Sequence, residues 1–289
     1  MPLDDFSSWS IAKKCCSMLY FYVYIATQIV LESFPVSSSS HLVLLERYLN
    51  RYGFAIDHRQ GFFFDFLHFD LVSIDVLDHF LHGVTALVIL VFFFPQWRIF
   101  FTHFSRYWRY VLTIGALTAL ADSLTLVLYL ARGSLLFACP TLGIGFVITA
   151  LLLFSLRFVS DKQTGRLTWR TACVLGFVQG LALLPGISRF ASTYVVARWL
   201  AFTPRRAFEV SFLIQWPLIT LAFANSVRML AMQSNSVHLF SGPLFLVMVG
   251  AGIVAFWVLR FVRTLADAQR LWLFSIYMLF PLMVWAWLC

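Results

Sequence analysis

The chain has 289 residues, of which 61% are hydrophobic, 18% aromatic and only 12% charged, with a mean hydropathy of +0.84. A soluble chain of this size carries about twice that charge, so the composition excludes an ordinary water-soluble enzyme and points to an integral membrane protein. The net charge of +8 does not indicate nucleic acid, because Lys and Arg stand singly or in pairs between apolar runs and form no stripe with interleaved aromatics.

Five cysteines, Cys15, Cys16, Cys139, Cys173 and Cys289, show no CxxC spacing and suggest neither a metal site nor a disulfide framework. The opening M-P-L-D-D, followed by a long apolar run, does not read as a cleavable signal peptide.

An apolar helix of about 20 residues crosses the hydrocarbon core. The first apolar region, residues 18–50, is interrupted midway by F-P-V-S-S-S-S-H. Each half is too short to cross alone, so the region reads as a re-entrant hairpin of two half-helices. Three spans follow, at 79–95, 108–131 and 135–158. The pattern then starts again. Residues 171–200 are interrupted by L-P-G-I-S-R-F-A-S-T, and spans follow at 207–232, 239–261 and 271–288. The two interruptions align without gaps, L-E-S-F-P-V-S-S at 31–38 on L-A-L-L-P-G-I-S at 181–188. This places Leu31 on Leu181, Pro35 on Pro185 and Ser38 on Ser188.

The expected fold is therefore an all-α integral membrane protein with six transmembrane helices plus two re-entrant helical hairpins, arranged as an inverted repeat. It forms a single membrane domain over 1–289, with repeat one at about 18–158 and repeat two at about 171–288. A hairpin returns to its own side and three spans do not, so the second copy is inverted, as in proteins that handle polar ligands between broken helices. Most of the 21 Lys and Arg residues fall on the side of the inter-repeat loop. That balance puts the loop in the cytoplasm and both termini outside.

Irregular backbone survives in lipid only where it lines a protected or wet cavity. Serines at each tip can cap the second half-helix, whose free N–H groups and positive dipole end then point into the protein. Two such ends make an anion site, with phosphate the obvious guest. The first hairpin supplies Gln28, Glu32, Ser37, Ser38, Ser39 and His41. Gln28 and Glu32 are one turn apart on one face. His41 can move a proton near neutral pH, and a serine beside it can be activated as a nucleophile. The second hairpin supplies Ser188, Arg189, Ser192 and Thr193; a guanidinium offers a planar fork suited to phosphate oxygens. A four-serine run alone is an ordinary turn, and a lone Arg can snorkel. The argument for a site is that an acidic, nucleophilic set and a cationic one occupy equivalent points of a repeat.

Other polar residues compete. Asp75, Asp78, His79 and His82 recur at helical spacing and would make a metal face, but at the start of a span they are expected to form an interfacial helix end. Asp122, Glu209 and Gln215 are expected to bridge helices or line a cavity. Trp169, Trp199 and Trp216 fit interfacial belts.

At the two interruptions the sequence resembles the bacterial undecaprenyl-pyrophosphate phosphatases associated with bacitracin resistance. Their first signature is similar to Q-I-V-L-E-S-F-P-V-S-S-S-S-H here, and their second to P-G-I-S-R-F-A-S-T. The resemblance extends to L-T-W at 167–169, R-R-A-F-E-V-S-F-L-I-Q-W-P at 205–217 and F-S-I-Y at 274–277. It implies hydrolysis of C55-isoprenyl diphosphate to the monophosphate, in the bacterial inner (plasma) membrane, with the active site open to the periplasm. It also implies a divalent cation, Mg or Ca. Carried over by position, it makes Ser38 the nucleophile, His41 and Glu32 catalytic, and Arg189 the diphosphate-binding residue. Ser37, Ser39, Ser188 and Thr193 fall on substrate-binding positions, and Glu32 and Gln28 on metal-binding ones. Ser39 and Ser40 depart from the family's Thr-Gly, Phe190 from its serine, and Gln28 leaves one carboxylate instead of two. Arg189 and the half-helix ends are expected to hold the diphosphate, while Ser38, or a water, attacks with His41 exchanging the proton. The expected partners are the polyprenyl diphosphate and membrane lipid, with no nucleic acid; a homodimer stays open.

Besides a purely structural membrane protein, which gives no reason for a buried Glu-Ser-His set, two rival functions compete with this reading. A transporter or flippase of an anionic lipid shares the inverted broken-helix architecture. The other lipid-phosphatase superfamily requires K-x6-R-P and a second suitably placed His, neither of which is found here.

Overall fold

The computed structural model describes residues 19–51, 74–103, 108–109, 112–113, 115–120, 123, 139–159, 164–232 and 242–289. Among them every regular element is helical. The helices are α1 (Leu19–Leu31), α2 (Ser38–Arg51), α3 (Ile74–Phe92), α4 (Phe94–Thr102), α5 (Cys139–Ser155), α6 (Trp169–Leu181), α7 (Arg189–Trp199), α8 (Pro204–Met232), α9 (Gly242–Asp267), α10 (Phe274–Tyr277) and α11 (Leu279–Leu288).

Among the described residues four segments are long and apolar enough to cross a membrane: Pro140–Phe158, Pro204–Met232, Gly242–Asp267 and Leu271–Leu288. They correspond to the expected spans at 135–158, 207–232, 239–261 and 271–288. Helix α8 begins earlier than expected because Pro204 suits a first helical position, where its missing N–H costs nothing. The expected span at 108–131 falls mostly outside the described residues. The one at 79–95 is α3, which starts at Ile74 and stops at a step around Phe93, before Pro95 opens α4 in a first turn that tolerates it. Cys289, at the end of the chain, is disulfide-bonded. The expectation from cysteine spacing is amended there.

Helix α3 lies along α8 and also packs on α9. One seam is aromatic: Phe92, Phe93, Phe190, Phe208 and Phe212 interlock with ring centroids 4.5–6.3 Å apart. Lipid tails are as apolar as this core, so the seam is held by close packing and dispersion rather than by exclusion of water.

Both interrupted regions are helix–tip–helix, and their tips wind alike. In the first, Ser33 N–H donates to Val30 O at 3.1 Å and Phe34 N–H to Leu31 O at 3.0 Å. In the second, Leu183 N–H donates to Gly180 O at 3.0 Å and Leu184 N–H to Leu181 O at 3.1 Å. These are equivalent positions in the sequence alignment. Helices α6 and α7 fold back against each other.

Helix α5 fixes the second tip. Thr149 Oγ1 donates to Gly186 O at 2.8 Å and accepts from Ser188 N–H at 3.1 Å. Gly186 has φ of +86°, a conformation that glycine adopts at no steric cost. The helix meets the tip backbone to backbone: a Cβ on Gly145 would lie 1.9 Å from Pro185 O.

Candidate active site

The two tips touch. Gly186 N–H donates to Ser40 Oγ at 2.6 Å, and Ser40 Oγ is also 2.8 Å from Ser37 Oγ. Ser40, one of the residues that depart from the family signature, therefore ties the tips together. Sequence reasoning assigned it no role. It sits in the first turn of α2 and needs no glycine-like backbone.

Beside this contact Ser38 Oγ donates to Glu32 Oε1 at 2.6 Å. The other carboxylate oxygen, Oε2, lies 3.5 Å from Gln215 Nε2 on α8. A short O–H···O⁻ bond is the arrangement in which a carboxylate can take a serine proton. The expectation paired Ser38 with His41, but the structure pairs it with Glu32.

His41 is held differently. Its Nδ1 is 2.6 Å from Ser37 O and its Nε2 is 3.2 Å from Tyr277 Oη. A carbonyl can only accept, so Nδ1 carries the proton; in the neutral ring Nε2 is then the basic atom. Tyr277 also stacks on the ring at 5.9 Å, and Phe146 meets it edge-on at 5.5 Å. Tyr277 belongs to the F-S-I-Y run, so the resemblance marked this place without assigning a role.

The hydroxyls of the second tip are mostly engaged. Ser188 caps α7 by accepting from Ala191 N–H at 3.2 Å, and Thr193 Oγ1 donates back to Arg189 O at 2.8 Å. Ser37, Ser188 and Thr193 thus shape the tips with their side chains, whereas Ser39 is exposed. Arg189 stands apart, since its buried Nε has no hydrogen-bond partner. Gln28, only 1% exposed, is similar: neither amide atom is paired. Each buried, unpaired polar group costs about 1–3 kcal/mol; Gln28 stands one turn from Glu32 and Arg189 opens α7 at the second tip, so a polar ligand between the joined tips would offset both costs.

Helix α3 corrects two expectations. His82, expected at an exposed interfacial helix end, is buried in the protein with its Nδ1 unpaired. Trp216, expected in a belt, instead donates from Nε1 to Ala86 O at 3.0 Å, tying α8 to α3. Glu209 bridges helices as expected, accepting from Arg205 at 3.2 Å and from Gln96 of α4 at 3.3 Å. Phe190 is 2% exposed and sits in the aromatic seam, 4.5 Å from Phe212. Packing accounts for that departure.

Among the described residues no three His, Cys, Asp or Glu side chains cluster as a metal site. One carboxylate and an amide carbonyl one turn away do fit a hard cation that takes its remaining ligands from water and phosphate.

The sequence model of the family described as bacitracin resistance protein BacA matches residues 26–282. The chain belongs to this family. Among relatives of this BacA family member is the undecaprenyl-diphosphatase of Borrelia hermsii, 29% identical over 271 residues, covering 86% of this chain and 90% of that protein. The undecaprenyl-diphosphatase of Korarchaeum cryptofilum is 27% identical over 251 residues, 85% of this chain and 89% of its own length. That of Desulfatibacillum aliphaticivorans is 36% identical over 152 residues, 49% and 51% of the two chains. The matched span contains both tips and Tyr277.

Proposed function

We propose that the chain is an undecaprenyl-diphosphatase, which hydrolyses C55-isoprenyl diphosphate to the monophosphate and inorganic phosphate. It thereby recycles the lipid carrier of cell-wall synthesis and confers bacitracin resistance. The observation that carries this reading is the 2.6 Å Ser38–Glu32 bond at a tip joined directly to the Arg189 tip.

Arg189 and the N–H groups that open α2 and α7 bind the diphosphate. Ser38 Oγ attacks the terminal phosphorus and passes its proton to Glu32. The new Oγ–P bond forms as the bridging P–O bond breaks, and the isoprenyl monophosphate leaves with the electron pair. Water then attacks the phosphoserine, His41 Nε2 taking its proton, and Glu32 returns a proton to Ser38. Most of the acceleration comes from positioning and charge stabilisation. A divalent cation, Mg or Ca, arriving with the diphosphate would be held by Glu32 and Gln28 and would offset phosphate charge.

The architecture that goes with this chemistry is six transmembrane helices plus two re-entrant hairpins in an inverted repeat. Its support is the matching hydrogen-bond pattern of the two tips, Ser33 with Leu183 and Phe34 with Leu184. The family resemblance supports an inner-membrane protein whose site opens to the periplasm, and the Lys and Arg balance supports a cytoplasmic inter-repeat loop with both termini outside.

The test is phosphate release from undecaprenyl diphosphate by the purified protein in detergent, beside Arg189→Ala. Release by the wild type and a loss of at least about a hundredfold in the variant are expected. A flippase would release none, and undiminished turnover by the variant would remove Arg189 from the site.

A further inference from the structure

Helix α3 has two faces. Leu87 and Val91 are 59% and 55% exposed, whereas His82 and Thr85, one turn apart, are buried. Buried polar groups on a membrane helix are costly unless paired, yet His82 Nδ1 and Thr85 Oγ1 have no hydrogen-bond partner in the protein. The helix is not free to turn them elsewhere. Gly83 lies so close to α8 that a Cβ would meet the Phe223 ring at 2.5 Å, and Trp216 holds the Ala86 carbonyl. The imidazole is thus locked toward the interior, on a helix that Trp216 ties to α8, whose Gln215 Nε2 lies 3.5 Å from Glu32 Oε2.

A core histidine that served only packing would bond a neighbour or be replaced by an apolar ring. Gln28, Gln215 Oε1 and Arg189 Nε are buried and unpaired in the same way, and Gln28 and Gln215 flank Glu32, one a turn away on α1 and the other 3.5 Å away on α8. Glu32 does not satisfy them: its oxygens take Ser38 Oγ and Gln215 Nε2 instead.

Resting on the diphosphatase reading, we propose that His82 is a substrate-binding residue of this site, donating a ring N–H to the diphosphate from α3, outside both tip motifs. Arg189 holds the phosphates from α7, and His82 holds them from α3. The diphosphate is then gripped by a helix that belongs to neither broken region, and its orientation toward Ser38 depends on α3 as well as on the tips.

The test compares His82→Leu, which keeps bulk without a donor, with His82→Asn and His82→Gln, whose amides reach toward the positions of the two ring nitrogens. A hydrogen bond to a charged group sets the scale. His82→Leu should lower kcat/KM for undecaprenyl diphosphate by about ten- to a hundredfold, and one of the two amides should recover most of it. In a Ser38→Ala background, His82→Leu should weaken equilibrium binding of undecaprenyl diphosphate by a similar factor, with an unchanged melting temperature. Wild-type turnover in His82→Leu would overturn the proposal, as would unchanged binding. Failure of both amides to recover activity would also overturn it, whether or not the melting temperature falls. If the wild type itself releases no phosphate, the diphosphatase reading fails. If it does, and Arg189→Ala abolishes release while His82→Leu does not alter it, only the role of His82 is refuted.

Discussion

Replacing Gly145 by Ala should disable the site from outside it. The added methyl would start 1.9 Å from Pro185 O, against an ordinary contact of 3.4 Å or more, so tip and helix must part by about 1.5 Å. Neither side of that contact is flexible, since both are backbone. The shift pulls on Thr149–Gly186 at 2.8 Å and on Gly186–Ser40 at 2.6 Å, the bonds that set one tip against the other. Overpacking of this kind costs about 1–3 kcal/mol, and a misplacement of about 1 Å can cost a hundredfold in rate. Phosphate release by Gly145→Ala should therefore fall by about that factor, with a lower melting temperature. The matched control is Gly250→Ala on α9, where nothing lies within 4 Å of the new Cβ. It should leave turnover unchanged and, as a helical Gly→Ala change, raise stability by up to about 1 kcal/mol. Wild-type turnover in Gly145→Ala would refute the reasoning that α5 positions the second tip.

Restoring the family serine with Phe190→Ser should cost about 3 kcal/mol or more, as truncation of a buried Phe does, without raising kcat; calorimetry and phosphate release check both halves. Ser40→Gly leaves Gly186 N–H unpaired and should lower stability by about 1–3 kcal/mol, with slower turnover, read by the same two assays. Tyr277→Phe keeps the stacked ring but removes the O–H at His41 Nε2, and kcat should fall about fivefold, the worth of one neutral hydrogen bond.

Much of this was legible in the chain. The Pro-Ser interruptions gave the places where helices break, because proline removes a donor and a serine can cap the next half-helix. The alignment of 31–38 with 181–188 anticipated that the two turns wind alike. Charge complementarity put Glu32 and Arg189 at the two interruptions, whose tips the structure joins at Ser40 and Gly186. What the sequence did not carry was partner choice at short range. Ser38 has His41 and Glu32 both within reach along the chain, and only the fold shows that the ring is taken by Ser37 O and Tyr277 while the carboxylate takes the serine. His82 was misplaced because a span edge drawn from hydropathy began at residue 79, whereas α3 begins at Ile74 and carries the histidine inward. The departures looked like losses in the motif. Phe190 and Ser40 show otherwise, one filling an aromatic seam and the other joining the tips.

The most direct measurement is rapid quenching of the protein with undecaprenyl diphosphate labelled on its terminal phosphorus, then mapping of the label. Phosphoserine should be found on the peptide bearing Ser38 in the wild type, and its formation should slow sharply in Glu32→Gln. Full-rate turnover by Ser38→Ala, or label that never leaves phosphate and lipid, would contradict the account.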